Sequence, residues 1–72
     1  MSRGDERAFR DLLSYVEREM DFETGFYNDA YLDRRITSRM RRTDLEEYRR
    51  YRRLLERDAE ERAALLDSLS IN

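Results

Sequence analysis

Histidine and cysteine are both absent from this 72-residue chain. The usual neutral-pH proton shuttle and the thiolate nucleophile are therefore missing, and so are the side chains that most often ligate zinc. Catalytic triads built on either residue are excluded. The carboxylates show no loop with the spacing of a calcium site, and no Gly-rich phosphate loop is present. The residue type left to carry chemistry is arginine, which supplies all 15 basic side chains. Nine of them crowd residues 34–53 against Asp44, Glu46 and Glu47, a local net charge of +6, while the remainder of the chain carries −8. The overall charge of −2 thus conceals a charge dipole with a basic middle. Planar guanidinium forks suit carboxylates and phosphates, so the chemistry on offer is anion recognition.

Helices must position these arginines. Phe9, Leu12, Leu13, Val16 and Met20 recur at helical spacing, which predicts a first helix over about 6–20 with Asp5 as its N-cap. Glu6 precedes Arg10 by four residues, the favoured order for a surface pair. The period is lost over 21–27, around Gly25, where the aromatics are expected to tuck against the core. Asn28 can cap a second helix whose narrow apolar stripe is Leu32, Ile36 and Met40. Thr43-Asp44-Leu45-Glu46 has the pattern of a capping box and predicts a third helix starting almost without a loop, with Leu45, Tyr48, Tyr51 and Leu55 inward. Asp58 repeats the capping logic for a fourth helix, whose inward residues are predicted to be Ala63, Leu66 and Leu69. No useful period-2 alternation appears, so the fold class expected is all-α: one domain over 1–72, a compact bundle of four short helices.

On the second helix, at about 100° per residue, Arg34 and Arg41 point away from Ile36, Arg35 and Arg42 fill the neighbouring stripe, and Arg39 flanks the core side. Two readings stand. The basic ridge is a solvated face balanced by acids of other helices, or it binds an anionic partner that relieves its self-repulsion. On the third helix, Glu46 with Arg50 and Arg52 with Glu56 have the spacing of ordinary surface pairs. The five tyrosines could stack on bases, but Tyr48 and Tyr51 have core or rim spacing, and Glu60-Glu61 is the acidic start of a helix. No apolar run approaches the roughly 20 residues of a membrane span, and the first residues lack the apolar stretch of a secretory signal. The lack of cysteine weakly favours an intracellular chain.

The motifs in their order resemble a known family. Leu32-Asp33-Arg34-Arg35-Ile36 with Arg39-Met40-Arg41 is similar to the arginine-studded helix in the N-terminal domain of CheR-type chemoreceptor methyltransferases. Leu45-Glu46-Glu47-Tyr48 resembles the start of that domain's next helix, and the run from Asp58 to Asn72 resembles its last one. Phe9-Arg10-Asp11-Leu12-Leu13 also fits. The resemblance covers about residues 8–72. It implies an S-adenosylmethionine-dependent enzyme that methylates glutamates on the cytoplasmic helical region of chemoreceptors, with its chemistry in a separate α/β domain.

Carried across, the resemblance assigns partner binding to Arg34, Arg35, Arg39 and Arg41, to which Arg42 adds charge, and places Asn72 at the cofactor. Thr37 and Ser38 stand where relatives often carry further arginines, and the connection from Met40 to Leu45 is shorter than usual. The expectations that follow are a cytoplasmic recognition domain cut before its catalytic domain, with Leu65, Leu69 or Ile71 exposed where that domain would sit. The alternative is a stand-alone helical module that binds nucleic acid or an acidic protein. The chain alone is expected to transfer no methyl group from S-adenosylmethionine, which a radiolabel-transfer assay would check.

Overall fold

The structure, a computed structural model, describes residues 3–70, which hold four α-helices and no strand. The helices are α1 (Arg3–Glu19), α2 (Asp29–Arg42), α3 (Tyr48–Arg57) and α4 (Ala59–Leu69), with one 3-10 turn over Thr24–Phe26. Helix α1 packs on α3, α2 packs on α4, and α3 also touches α4. The all-α bundle expected from periodicity is what forms. It measures 32 × 25 × 20 Å.

One core runs through the bundle. The predicted stripe of α1 (Phe9, Leu12, Leu13, Val16, Met20) is buried, as are Leu32, Ile36 and Met40 of α2 and Tyr51 and Leu55 of α3. Tyr15 joins them. Each fully buried leucine contributes about 2 kcal/mol relative to solvent exposure. In the connection, Phe22 and Tyr27 pack against the core as expected, but Phe26 stands 80% exposed.

Several boundaries differ from expectation, each for a local reason. Helix α1 begins before Asp5, which therefore lies in the first turn rather than at the cap, and Arg10 turns to Asp29 of α2 instead of Glu6. The caps at Asn28 and Asp58 form as predicted: Asn28 Oδ1 accepts from the Tyr31 N–H at 2.8 Å and Asp58 Oδ1 from the Glu61 N–H at 3.1 Å.

The capping box at Thr43 does not form. Thr43 instead closes α2, its hydroxyl donating to the carbonyls of Arg39 and Met40. Asp44 adopts φ 60°, the Leu45 N–H reaches the Met40 carbonyl at 2.8 Å, and the Asp44 N–H reaches Arg41 at 3.2 Å. That is a Schellman closure, completed by Leu45 packing back on the core. Helix α3 consequently starts at Tyr48, four residues later than the box implied. A left-handed conformation costs aspartate more than glycine, so Asp44→Gly is expected to stabilise the domain by about 0.5–1 kcal/mol. A urea melt of the two proteins checks this.

Helix α4 is rotated from its predicted register. Its buried residues are Glu61, Leu65 and Leu69, whereas Ala63 is exposed and Leu66 only half-buried. The expected exposure of Leu65 and Leu69 is thereby overturned: both are completely buried, because α4 turns this face toward α2 and α3. Ile71 and Asn72 lie outside the described residues. What pulls the helix round is the carboxylate at its start.

Candidate docking site

Glu61 enters the bundle because two donors meet it there. Arg39 of α2 approaches edge-on, Nε donating to Oε2 at 3.0 Å and Nη2 to Oε1 at 2.8 Å. The buried Tyr51 of α3 donates its hydroxyl to Oε2 at 2.6 Å. The glutamate is 6% exposed, and the Arg39 side chain 23%. A bidentate guanidinium and a phenol together replace the water that the carboxylate loses, which is what makes its burial tolerable. The bonds from Arg39 hold the Glu61 carboxyl below its ordinary value, and the carboxylate in turn raises Arg39. Helices α2, α3 and α4 are thus tied at one point.

A second phenol links the bundle elsewhere. Tyr48 of α3 donates to Asp33 Oδ1 of α2 at 2.5 Å and packs its ring on Phe9, with centroids 5.4 Å apart. Burial, reinforced by the neighbouring carboxylates, pushes the phenols of Tyr48 and Tyr51 above the ordinary value of 10.0. A raised folded-state value contributes stability that is complete below the unfolded value and lost as pH climbs past it. The domain is therefore expected to lose stability progressively as pH rises above about 10, and the Tyr48→Phe/Tyr51→Phe double variant to show a shallower loss. Urea melts across that range provide the check.

This network alters the predicted ridge at one place. Arg39 is engaged by Glu61 inside the molecule. Its position on the wheel, between the exposed stripe and the core, places it within reach of α4. The other four arginines assigned to recognition, Arg34, Arg35, Arg41 and Arg42, are exposed. Among the described residues, no ion pair engages Arg34, Arg41 or Arg42. Arg35 lies over the Tyr31 ring, 5.3 Å from its centroid. Tyr31 is itself fixed, stacked on Tyr27 at 5.4 Å and donating its hydroxyl to the Leu69 carbonyl at 3.0 Å. Tyr27 stacks in turn on Phe22 at 5.3 Å, so an aromatic ladder supports the N-terminal end of the basic face.

Neutralising Arg39 also changes the electrostatics of the ridge. Like charges repel on a helix chiefly at separations of three and four residues. Arg39 is the residue that would stand at such separations from Arg35 and Arg42. With it paired to Glu61, none of the four free arginines has another three or four positions away. The self-repulsion anticipated for the ridge is mostly relieved from within, and the free charges remain available.

The arginines of α3 are less uniform. Arg50 pairs with Glu47 at 3.1 Å, not with Glu46, and Arg52 pairs with Glu56 at 3.4 Å as expected. Arg49 and Arg53 are exposed. No group of acidic side chains suited to a metal ion occurs among the described residues, and no helix there is long and apolar enough to cross a membrane. The depression bordered by Leu45, Arg50, Arg53 and Arg57 is open to solvent.

The arginine-bearing α2, the Schellman closure after it and the buried end of α4 all fall within residues 7–70, which match the family model described as CheR methyltransferase, all-alpha domain. The chain belongs to this family. The resemblance drawn from the motif order is therefore correct, and the match takes in α2, α3, α4 and most of α1. Membership places this CheR all-alpha domain among the methyltransferases of chemotaxis. No curated protein and no solved structure matches the chain.

Residue spacing missed the tyrosine–glutamate–arginine network of this CheR domain, though a signal was present. Glu61, Leu65 and Leu69 stand at i, i+4 and i+8, so a carboxylate shares the stripe of two leucines. A charged residue in line with core positions calls for a buried partner, and Arg39 was the cation on the core edge of α2.

Proposed function

We propose that this CheR domain is the recognition part of an S-adenosylmethionine-dependent methyltransferase that esterifies glutamate side chains of chemoreceptors. In this reading Arg34, Arg35, Arg41 and Arg42 dock the acidic helical region of the receptor in the cytoplasm, and a separate catalytic domain of the same protein performs the transfer. One observation carries the reading: four exposed guanidinium groups line one face of a single helix, none of them in an ion pair among the described residues.

Such a face steers a glutamate-rich helix toward it and fixes its orientation more than it adds raw affinity. Orientation is the useful product, because holding a substrate carboxylate near a methyl donor converts an encounter into a positioned reaction. S-adenosylmethionine, when bound, would supply the electrophilic methyl group. The residue assigned to it, Asn72, lies outside the described residues, and the work of the described side chains is to bind and orient the partner. Arg39 leaves the list of partner-binding residues and serves to set the rotation of α2.

The rival reading is a nucleic-acid module using the same guanidinium groups on phosphates. A titration of the chain with a glutamate-rich helical peptide, run beside one with duplex DNA at moderate salt, separates the two. Preference for the peptide is expected. Preference for DNA, with the steep salt slope of multiple phosphate contacts, would replace this function with the rival.

A further inference from the structure

Among the described residues one large apolar side chain stands exposed, that of Phe26. A lone exposed apolar residue is ordinary, but this one is presented on a built support. It closes the 3-10 turn over Thr24–Phe26, whose base is fixed on both sides. Thr24 is buried and donates its hydroxyl to Glu17, and the Tyr27 N–H returns to the Thr24 carbonyl at 3.0 Å. The rings of Phe22 and Tyr27, which flank the turn, stack at 5.3 Å. Nothing lies within 4 Å of the point where Gly25 would carry a Cβ, so no neighbour crowds the turn there. Glu17, Asp21 and Glu23 border a depression beside it, and none of the three is in an ion pair among the described residues. The turn therefore holds out an aromatic knob in a negatively charged setting.

The same chain carries a complementary surface. The depression bordered by Leu45, Arg50, Arg53 and Arg57 measures about 250 Å³. That exceeds the roughly 150 Å³ in which a protein interior holds a benzene ring. Leu45 gives it an apolar wall. Arg50 is engaged by Glu47, but no ion pair engages Arg53 or Arg57 among the described residues. These two stand four positions apart on α3, where like charges repel. The face of an aromatic ring attracts guanidinium groups, and carboxylates arriving with it relieve the repulsion between them.

From this match we propose that the chain associates with itself head to tail, Phe26 of one copy seated between Leu45, Arg53 and Arg57 of the next. Asp21 and Glu23 meet the arginine rim in the same contact. Each copy offers both a knob and a depression, so the contact is heterologous and copies add one after another, as an open chain or a ring. The fixed root of the knob limits the freedom lost on binding. One side chain and a few charge pairs carry the contact, which gives a weak Kd of about 0.1 mM. None of the arginines of α2 takes part, so the proposal stands apart from the docking function above.

Sedimentation velocity of the 72-residue chain at low salt is expected to show a mean mass that climbs with concentration around this Kd, and a weaker climb at high salt. Phe26→Ala and the double variant Arg53→Glu/Arg57→Glu change exposed side chains only. Each is expected to melt close to the parent protein and to remain monomeric. Mixed in equal amounts, the two variants are expected to form a dimer and nothing larger, because each pair keeps one working knob and one working depression. A parent chain that stays monomeric at about 1 mM would overturn the proposal. So would association retained by either variant, or a mixture that stays monomeric or grows beyond the dimer.

Discussion

Replacing Arg39 by methionine is expected to destabilise the domain by about 3 kcal/mol at neutral pH, although the side chain lies on the charged helix and contacts no partner. Removing one member of a buried ion pair typically costs about 3–5 kcal/mol, because the remaining charge is stranded. The 23% exposure of Arg39 argues for the lower end of that range. Against a total stability of about 4–11 kcal/mol for a domain of this size, the loss corresponds to a fall in Tm of about 10–20 °C.

The pH dependence identifies the cause. In the intact protein Arg39 holds the Glu61 carboxyl below its ordinary 4.5, so this contribution is complete above 4.5 and is lost as pH falls through the lowered value. In Arg39→Met the carboxylate keeps only the Tyr51 hydroxyl in a buried site, and burial drives its folded-state value upward. The variant's stability then falls as pH rises from the unfolded value through the raised one, the opposite sign. Urea melts at neutral pH and near pH 4.5 are expected to show the gap between the two proteins narrowing in acid. A gap that stays constant would mean that lost packing, not a stranded charge, causes the damage.

The second large effect concerns binding and leaves the fold intact. Changing Arg34, Arg35, Arg41 and Arg42 together to alanine is expected to weaken association with a glutamate-rich helix by about a hundredfold, from about 0.7 kcal/mol for each of four solvent-accessible charge pairs. The same substitutions should alter stability by no more than about 0.5 kcal/mol, since the four side chains are exposed and their charges oppose one another weakly at these spacings. Arg39→Met and the quadruple alanine variant therefore fail in different assays. Loss of binding in a still-folded Arg39→Met protein would return Arg39 to the docking face.

The apolar stripes of α1 and α2 and the caps at Asn28 and Asp58 were legible in the sequence because each depends on local spacing or one side chain. The start of α3 was not. Thr43, Asp44 and Glu46 fit a capping box, and the same residues fit a helix stop; what decided between them was Leu45 packing back on the core, a tertiary contact. The register of α4 was hidden for a related reason. An apolar pattern alone selects Ala63 and Leu66, whereas the bundle buries Glu61 because Arg39 and Tyr51 come from two other helices to meet it.

The exposure of the arginine face was legible for four residues of five. Arg34, Arg35, Arg41 and Arg42 could be placed on the exposed face from the wheel, which needs only α2 itself. Arg39 could not, since its role depends on α4. The support that Tyr31 and Tyr27 lend to Arg35 depends on the path of residues 21–27, where no periodicity guides a prediction.

The most direct test of the central claim is a map of backbone amide shifts in the isotopically labelled chain as a glutamate-rich helical peptide is added. The expected result is a continuous set of perturbed amides along α2 from Arg34 to Arg42, absent in the quadruple alanine variant and weakened by salt. Perturbations centred on Arg49 and Arg53 of α3, or none at all on α2, would contradict the assignment of α2 as the docking face.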